Sequence, residues 1–245
     1  MSYAIVRNEK LTRAEVNGKG THNDRKAKNH TNKDINPTKT HLNYYIKKNE
    51  LTYTQEFDKY LKENNLKGHL RNNSIIMCQM IFTSDQVFFD KIGEKETKRY
   101  FEECYNFICN YKNLGEKNII AAVVHLDEDA PHMHLMFVPV VHTKDNDGND
   151  IEKICARDFW KGRNSYRKLQ DAYFNRVKYS SFIFKKSAIF VKSVKPHNIP
   201  HIVIINISIN LYFFPLISLG SSNTSNLSNN VFICYTSWKH YTTYL

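Results

Sequence analysis

The period of the hydrophobic positions changes repeatedly along the first 178 residues, and each change marks an element. SYAIVRNEKL, near the N-terminus, reads as a first strand, and the nearly unbroken apolar run Ile75–Thr83 as a buried one. Between 51 and 65, Tyr53, Phe57, Tyr60 and Leu61 recur at helical spacing. Thr83 opens TSDQ, a capping-box pattern that predicts a short helix. Over 94–111, Phe101, Cys104, Tyr105 and Ile108 fall on one face of a longer helix. NIIAAVVHLD (118–127) and HMHLMFVPVV (132–141) are two strands joined by the turn DEDAP. Tyr166, Leu169, Tyr173 and Val177 predict a last amphipathic helix. This order suits an α+β fold, an antiparallel β-sheet with flanking helices, two of them long and packed on one face.

After residue 178 the texture changes. Residues 179–245 hold five lysines, no arginine and no acidic residue, whereas about a quarter of an ordinary chain is charged. Residues 202–219 form an uncharged run of about the minimum length for a membrane span. Asn206, Ser208, Asn210 and Pro215 interrupt it, and Ile205, Ile207, Ile209 and Leu211 alternate as in a strand. An anchor, an added strand and translation past a frameshift are three readings of the tail. The expected division is a domain over 1–178, ending early, and an atypical apolar tail over 179–245, frameshifted or disordered. A chain ended at Val177 is expected to fold as well as the full one.

Composition sharpens this picture only partly. The 245 residues carry a net charge of +11, which favours a polyanionic partner. The five cysteines form no CxxC pair and suit reduced thiols. MSYAIVRNEK has charges where a secretion signal needs an apolar run, so a cytoplasmic location is expected and a membrane partner is not.

The candidate chemistry lies in VHLDEDAPHMHLMF (124–137). Residues two apart in a strand share a face, so His132 and His134 point one way and Met133, Leu135 and Phe137 the other. If the two strands pair as a hairpin, His125 joins the first two. Three neutral imidazoles converging on one point suit a divalent transition metal with positions left open. The bland alternative is three unrelated surface or core histidines. A second polar concentration, THNDRKAKNHTNKDINPTKTHLNYY (21–45), reads either as a solvated basic loop or as a surface for the DNA backbone. In the second reading Lys33 is among its charges, Tyr44 and Tyr45 stack on unpaired bases, and the turn Asp34–Ile35–Asn36–Pro37 orients side chains.

Taken in order, MSY, HNDR (22–25), HTNKDINPTKTHLNY (30–44) and HLDEDAPHMH (125–134) resemble the Mob/Pre family of plasmid mobilisation relaxases, or plasmid recombination enzymes. The last block fits the pattern HxDExxPHxH throughout. The resemblance implies an HUH-type relaxase fold and an enzyme that nicks one strand at a plasmid transfer origin, single-stranded or hairpin, and stays joined to the 5′ end. It implies a manganese or magnesium ion on His125, His132 and His134, a nucleophile at His22, Glu128 beside it, and a DNA contact at Tyr44. Arg25 is expected to clamp a phosphate, and Lys33, Asp34 and Asn36 to meet DNA. Leu114 stands where the family has a DNA-contacting tyrosine. The family's long helical C-terminal half, used in self-association, has no counterpart in this sequence. Rival readings are Tyr44 or Tyr45 as nucleophile, a rolling-circle initiator using Tyr166 or Tyr173, and a remnant that binds DNA without cutting it.

Overall fold

The computed structural model describes residues 2–27, 32–64, 66, 70–180 and 182. Five antiparallel strands make the main sheet: β1 (Ile5–Thr12), β2 (Tyr44–Lys47), β3 (Ile75–Thr83), β4 (Ile119–His125) and β5 (His132–Phe137), in the order β1-β3-β5-β4-β2. A separate hairpin pairs β6 (Val140–Lys144) with β7 (Asp150–Ile154). The helices are α1 (Arg13–Asn23), α2 (Tyr53–Glu63), α3 (Gln86–Asn110), α4 (Ala156–Phe159) and α5 (Ser165–Tyr179).

The alternation within β5 builds two cores. Met133, Leu135 and Phe137 join Met80, Phe82 and Val124 under α3 and α5. Met136 joins Met77 and Ala121 on the opposite face, covered by α1 and α2. The two longest helices, α3 and α5, thus share one face as expected, and α1 and α2 cover the other. The sequence hides α1, since only Val16, Gly20 and Asn23 of its eleven residues are buried. Gly20 lets α1 approach α2: a Cβ there would stand 3.3 Å from the Tyr53 ring.

Two local expectations shift. The helix after β3 is capped by Asp85, which accepts from the Phe88 amide at 3.0 Å, while Thr83 stays in the strand and donates to the Pro131 carbonyl at 2.8 Å. Gly93, at φ +76°, kinks α3 and separates the short helix from the long one. The strand anticipated over 132–141 ends at Phe137. Pro139 has no N–H for a sheet ladder, and the chain turns away to form β6.

The core does not stop at residue 178. Phe182 is 4 % exposed, packs edge-on to Phe88 and Tyr100, and lies under the Arg99 guanidinium at 4.2 Å. The expected boundary thus cuts through packed structure. The readings of the tail beyond it lie outside the described residues. No helix among the described residues is long and apolar enough to cross a membrane.

Phe182→Ala, or a chain ended at Val177, should lose about 3 kcal/mol of stability through the vacated volume. Urea unfolding of either against the full chain measures the difference, and an unchanged midpoint would place Phe182 outside the core.

Candidate metal centre and active site

Hairpin register brings the histidines together. His125 pairs directly across from His132 at the turn end of β4 and β5, and His134 follows one pleat further in. Their ring centroids form a near-equilateral triangle, with sides of 5.2, 4.8 and 4.9 Å. His22, in the last turn of α1, packs edge-on to His125 and His134 at 5.7 and 5.3 Å.

Neighbouring carbonyls fix two of the tautomers. His125 donates from Nε2 to the Asn23 carbonyl at 2.8 Å, and His132 donates from Nδ1 to the Ala130 carbonyl at 2.9 Å. This leaves lone pairs on His125 Nδ1 and His132 Nε2, each 3.7 Å from Glu128 Oε1 and too far for a hydrogen bond. His134 is buried with neither ring nitrogen partnered. Burial, and then the neighbouring rings, push His134 well below the usual histidine range, and burial lowers His132 too. Buried neutral imidazoles with unused lone pairs fit a divalent transition ion. Two overlapping donor sets arise: His22, His125 and His134 in one, His125, Glu128 and His132 in the other.

The HNDR block is pinned to this centre residue by residue. Asn23 holds His125 through its carbonyl, and its amide donates to Gln79 at 3.1 Å. Asp24 accepts from the Tyr45 hydroxyl at 3.2 Å and from Asn49 at 3.4 Å. Arg25 takes a left-handed backbone conformation, φ +53°. Its side chain, 6 % exposed, forks onto Asp127 at 3.0 and 2.6 Å and reaches Glu128 at 2.5 Å. The two-pronged face expected to clamp a phosphate is therefore occupied from within. Arg25 instead joins α1 to the turn that carries Glu128.

Asp127 is also held by Thr40 at 2.9 Å, and its carbonyl accepts the Asn36 amide at 2.7 Å. Burial alone would raise the Asp127 carboxyl, but the hydrogen bonds from Arg25, Asn43 and Thr40 keep it well below the usual range. Burial raises Glu128 as well, yet the hydrogen bond and the charge of the Arg25 guanidinium work against it, and the carboxyl is held at about 2. Asn32, which the sequence did not single out, donates to Glu128 Oε2 at 3.0 Å.

Burial and then Arg25 lower His22 to about 4. Its Nε2 lies 3.4 Å from Arg25 Nη1 and 3.8 Å from Glu128 Oε1. A guanidinium has only donors, so this contact assigns the lone pair to Nε2.

The tyrosines separate by strand geometry. Tyr45 is opposite Val123 on the histidine face, and burial followed by Asp24 pushes its hydroxyl up to about 12. Tyr44 is opposite Val124, its ring packed on the α3 side, so the two do not form the expected shared stacking surface. Tyr173 is fully buried and Tyr166 packs on Trp160, both within the α3–α5 core. Leu114, at the position where the family has a tyrosine, is 2 % exposed and packs in the core. Lys33, Asp34 and Asn36 are exposed beside the centre. His30 lies outside the described residues.

With this geometry in place, comparison with known proteins gives a consistent result. Residues 1–187 match the family model described as plasmid recombination enzyme. The chain is similar to a plasmid recombination enzyme of Lactiplantibacillus plantarum, 33% identical over 184 residues, 74% of this chain and 48% of that one. It is also similar to one of Streptococcus agalactiae, 37% identical over 147 residues, 59% and 29% of the two chains. The chain thus spans about half the length, or less, of these curated relatives. Among solved structures it is similar to the MobM relaxase domain bound to plasmid pMV158 oriT DNA, in a Mn-bound crystal structure. That likeness has a TM-score of 0.66 and 30% identity, and covers 80% of this chain and 95% of the other.

Asp127→Ala should cost about 3 kcal/mol, because it takes the two-pronged partner from the buried Arg25 guanidinium and leaves it only the Glu128 contact. With its pKa depressed in the fold, Asp127 contributes stability above the ordinary carboxylate range, and that contribution fades as acid protonates it. The gap between variant and wild type, read by thermal unfolding, should therefore narrow on strong acidification. A variant as stable as wild type at neutral pH would remove the pair from its structural role.

Proposed function

The chain belongs to the plasmid recombination enzyme family, and on that footing we propose that it is a plasmid mobilisation relaxase. It breaks one DNA strand at a transfer origin, keeps the 5′ phosphate, and acts in the cytoplasm. The observation that carries this reading is the neutral His22 imidazole set against three convergent histidines, two of them with their tautomers fixed.

In this reading His125, His132 and His134 hold the divalent ion, manganese or magnesium. When bound, it supplies positive charge to the non-bridging oxygens of the scissile phosphate. His22 Nε2 attacks phosphorus, a P–N bond forms, the bond to the 3′ oxygen breaks, and that oxygen takes a proton from solvent. Arg25, with its fork on Asp127, is a positioning residue: it holds Glu128 and faces His22 with a donor that keeps Nε2 unprotonated. Glu128 offsets positive charge that develops on His22. Lysines on the flanking surface, Lys33 among them, supply affinity for the backbone. Tyr45 is disfavoured as nucleophile because its hydroxyl is held by Asp24, and Tyr44 because it packs on the other face.

His132→Ala should abolish metal-dependent nicking of an origin plasmid while leaving most single-strand binding, since ground-state affinity rests on lysine and arginine. Nicking at the wild-type rate would sink the assignment of the metal site. The nucleophile is tested separately. Adduct trapped on an origin oligonucleotide should be released by mild acid, as a phosphoramidate is, and the modified peptide should contain His22. An acid-stable adduct on Tyr45 would overturn that role.

A further inference from the structure

Beside His22 a cleft of about 610 Å³ opens between α1 and the sheet. This is within the usual range for small-ligand sites, about 300–1,000 Å³. His22 and His134 stand at its inner end. Gln79 and Ile81, neighbours on one face of β3, form the floor; Glu9 pairs with Gln79 across β1 and β3 and rises beside it. Glu15, Gly18 and Lys19 of α1 complete the wall.

The donor and acceptor pattern of this cleft is polarised. Gln79 is 2 % exposed, and its Oε1 is taken by Asn23, which leaves its amide hydrogens for an occupant. Lys19, the cleft's own cation, is paired with Glu9 at 2.7 Å. Glu15 is fixed by the capping box, one oxygen accepting from Thr12 at 2.7 Å. Two oriented carboxylates against one paired lysine disfavour an anion, so the cleft is not a phosphate subsite. A carboxylate only accepts, and it pairs best with an edge that offers N–H groups. The apolar Ile81 suits the flat face of a ring.

Resting on the relaxase reading, we propose that this cleft holds an unpaired nucleobase next to the scissile phosphate and selects one that bears an amino group. Guanine, with adjacent N1–H and amino donors for a carboxylate and O6 for the Gln79 amide, fits best. Thymine, with one donor between two acceptors, fits worst. Gly18 and Glu9 are then specificity-determining positions. Gly18 is the point of control, since a Cβ there meets nothing within 4 Å and a large side chain would fill the cleft without disturbing α1.

The experiment gives the full chain, with manganese, a randomised single-strand DNA pool and sequences the bases flanking each break. Wild type should favour an amino-bearing base over thymine at one fixed flank, by about tenfold. Gly18→Phe and, independently, Glu9→Gln should flatten that preference among the breaks that remain. No preference in wild type, or the same preference in both variants, overturns the proposal. If wild type makes no breaks, the relaxase reading fails, and the cleft is decided without cleavage by saturation transfer to deoxyguanosine and thymidine. Transfer to deoxyguanosine that is lost in Gly18→Phe supports the cleft; equal transfer to both nucleosides, or none, refutes it.

Discussion

The buried pairing of Arg25 with Asp127 is the constraint on which the centre depends. Arg25 sits just past the helix that carries His22, and Asp127 in the turn between the strands that carry the other three histidines. Without that pair, nothing else described holds the end of α1 against the turn so directly. The same guanidinium reaches Glu128, so a single side chain sets the spacing of His22, the carboxylates and the strand-borne imidazoles. The left-handed backbone at Arg25 is the local cost of turning its fork inward.

Around this pair the charges divide in a way that suits cation binding. Burial keeps His22, His132 and His134 neutral, while Arg25 and hydrogen bonds keep Asp127 and Glu128 ionised despite burial. His134 is buried with both ring nitrogens unpartnered, a costly state that binding an electron-pair acceptor relieves. Arg25 turns a donor towards His22, which leaves the lone pair on Nε2 and the imidazole unprotonated there.

Much of this was legible because strands impose simple rules. The period of two put His132 and His134 on one face and the core on the other, and the DEDAP turn set His125 across from His132. The long helices announced themselves by apolar spacing. What stayed hidden was tertiary. α1 has few apolar positions and two glycines, so HNDR reads as a basic loop until Arg25 is seen to face Asp127. Neither spacing nor composition shows that Leu114 is core or that Tyr44 and Tyr45 part company across an edge strand. Phe182 sits past a break in composition, and only its packing on Phe88 and Tyr100 assigns it to the domain.

The central claim is that the three strand-borne histidines form the metal site and His22 stands outside it. Electron spin-echo spectroscopy of manganese bound to the full chain tests this most directly, because imidazole nitrogens couple to the ion. The account expects a single bound ion whose histidine nitrogen couplings persist in His22→Ala and are reduced, or lost together with the ion, in His132→Ala and in His134→Ala. Couplings that weaken in His22→Ala and survive unchanged in His132→Ala would contradict it, moving His22 into the ligand set and leaving the nucleophile unassigned.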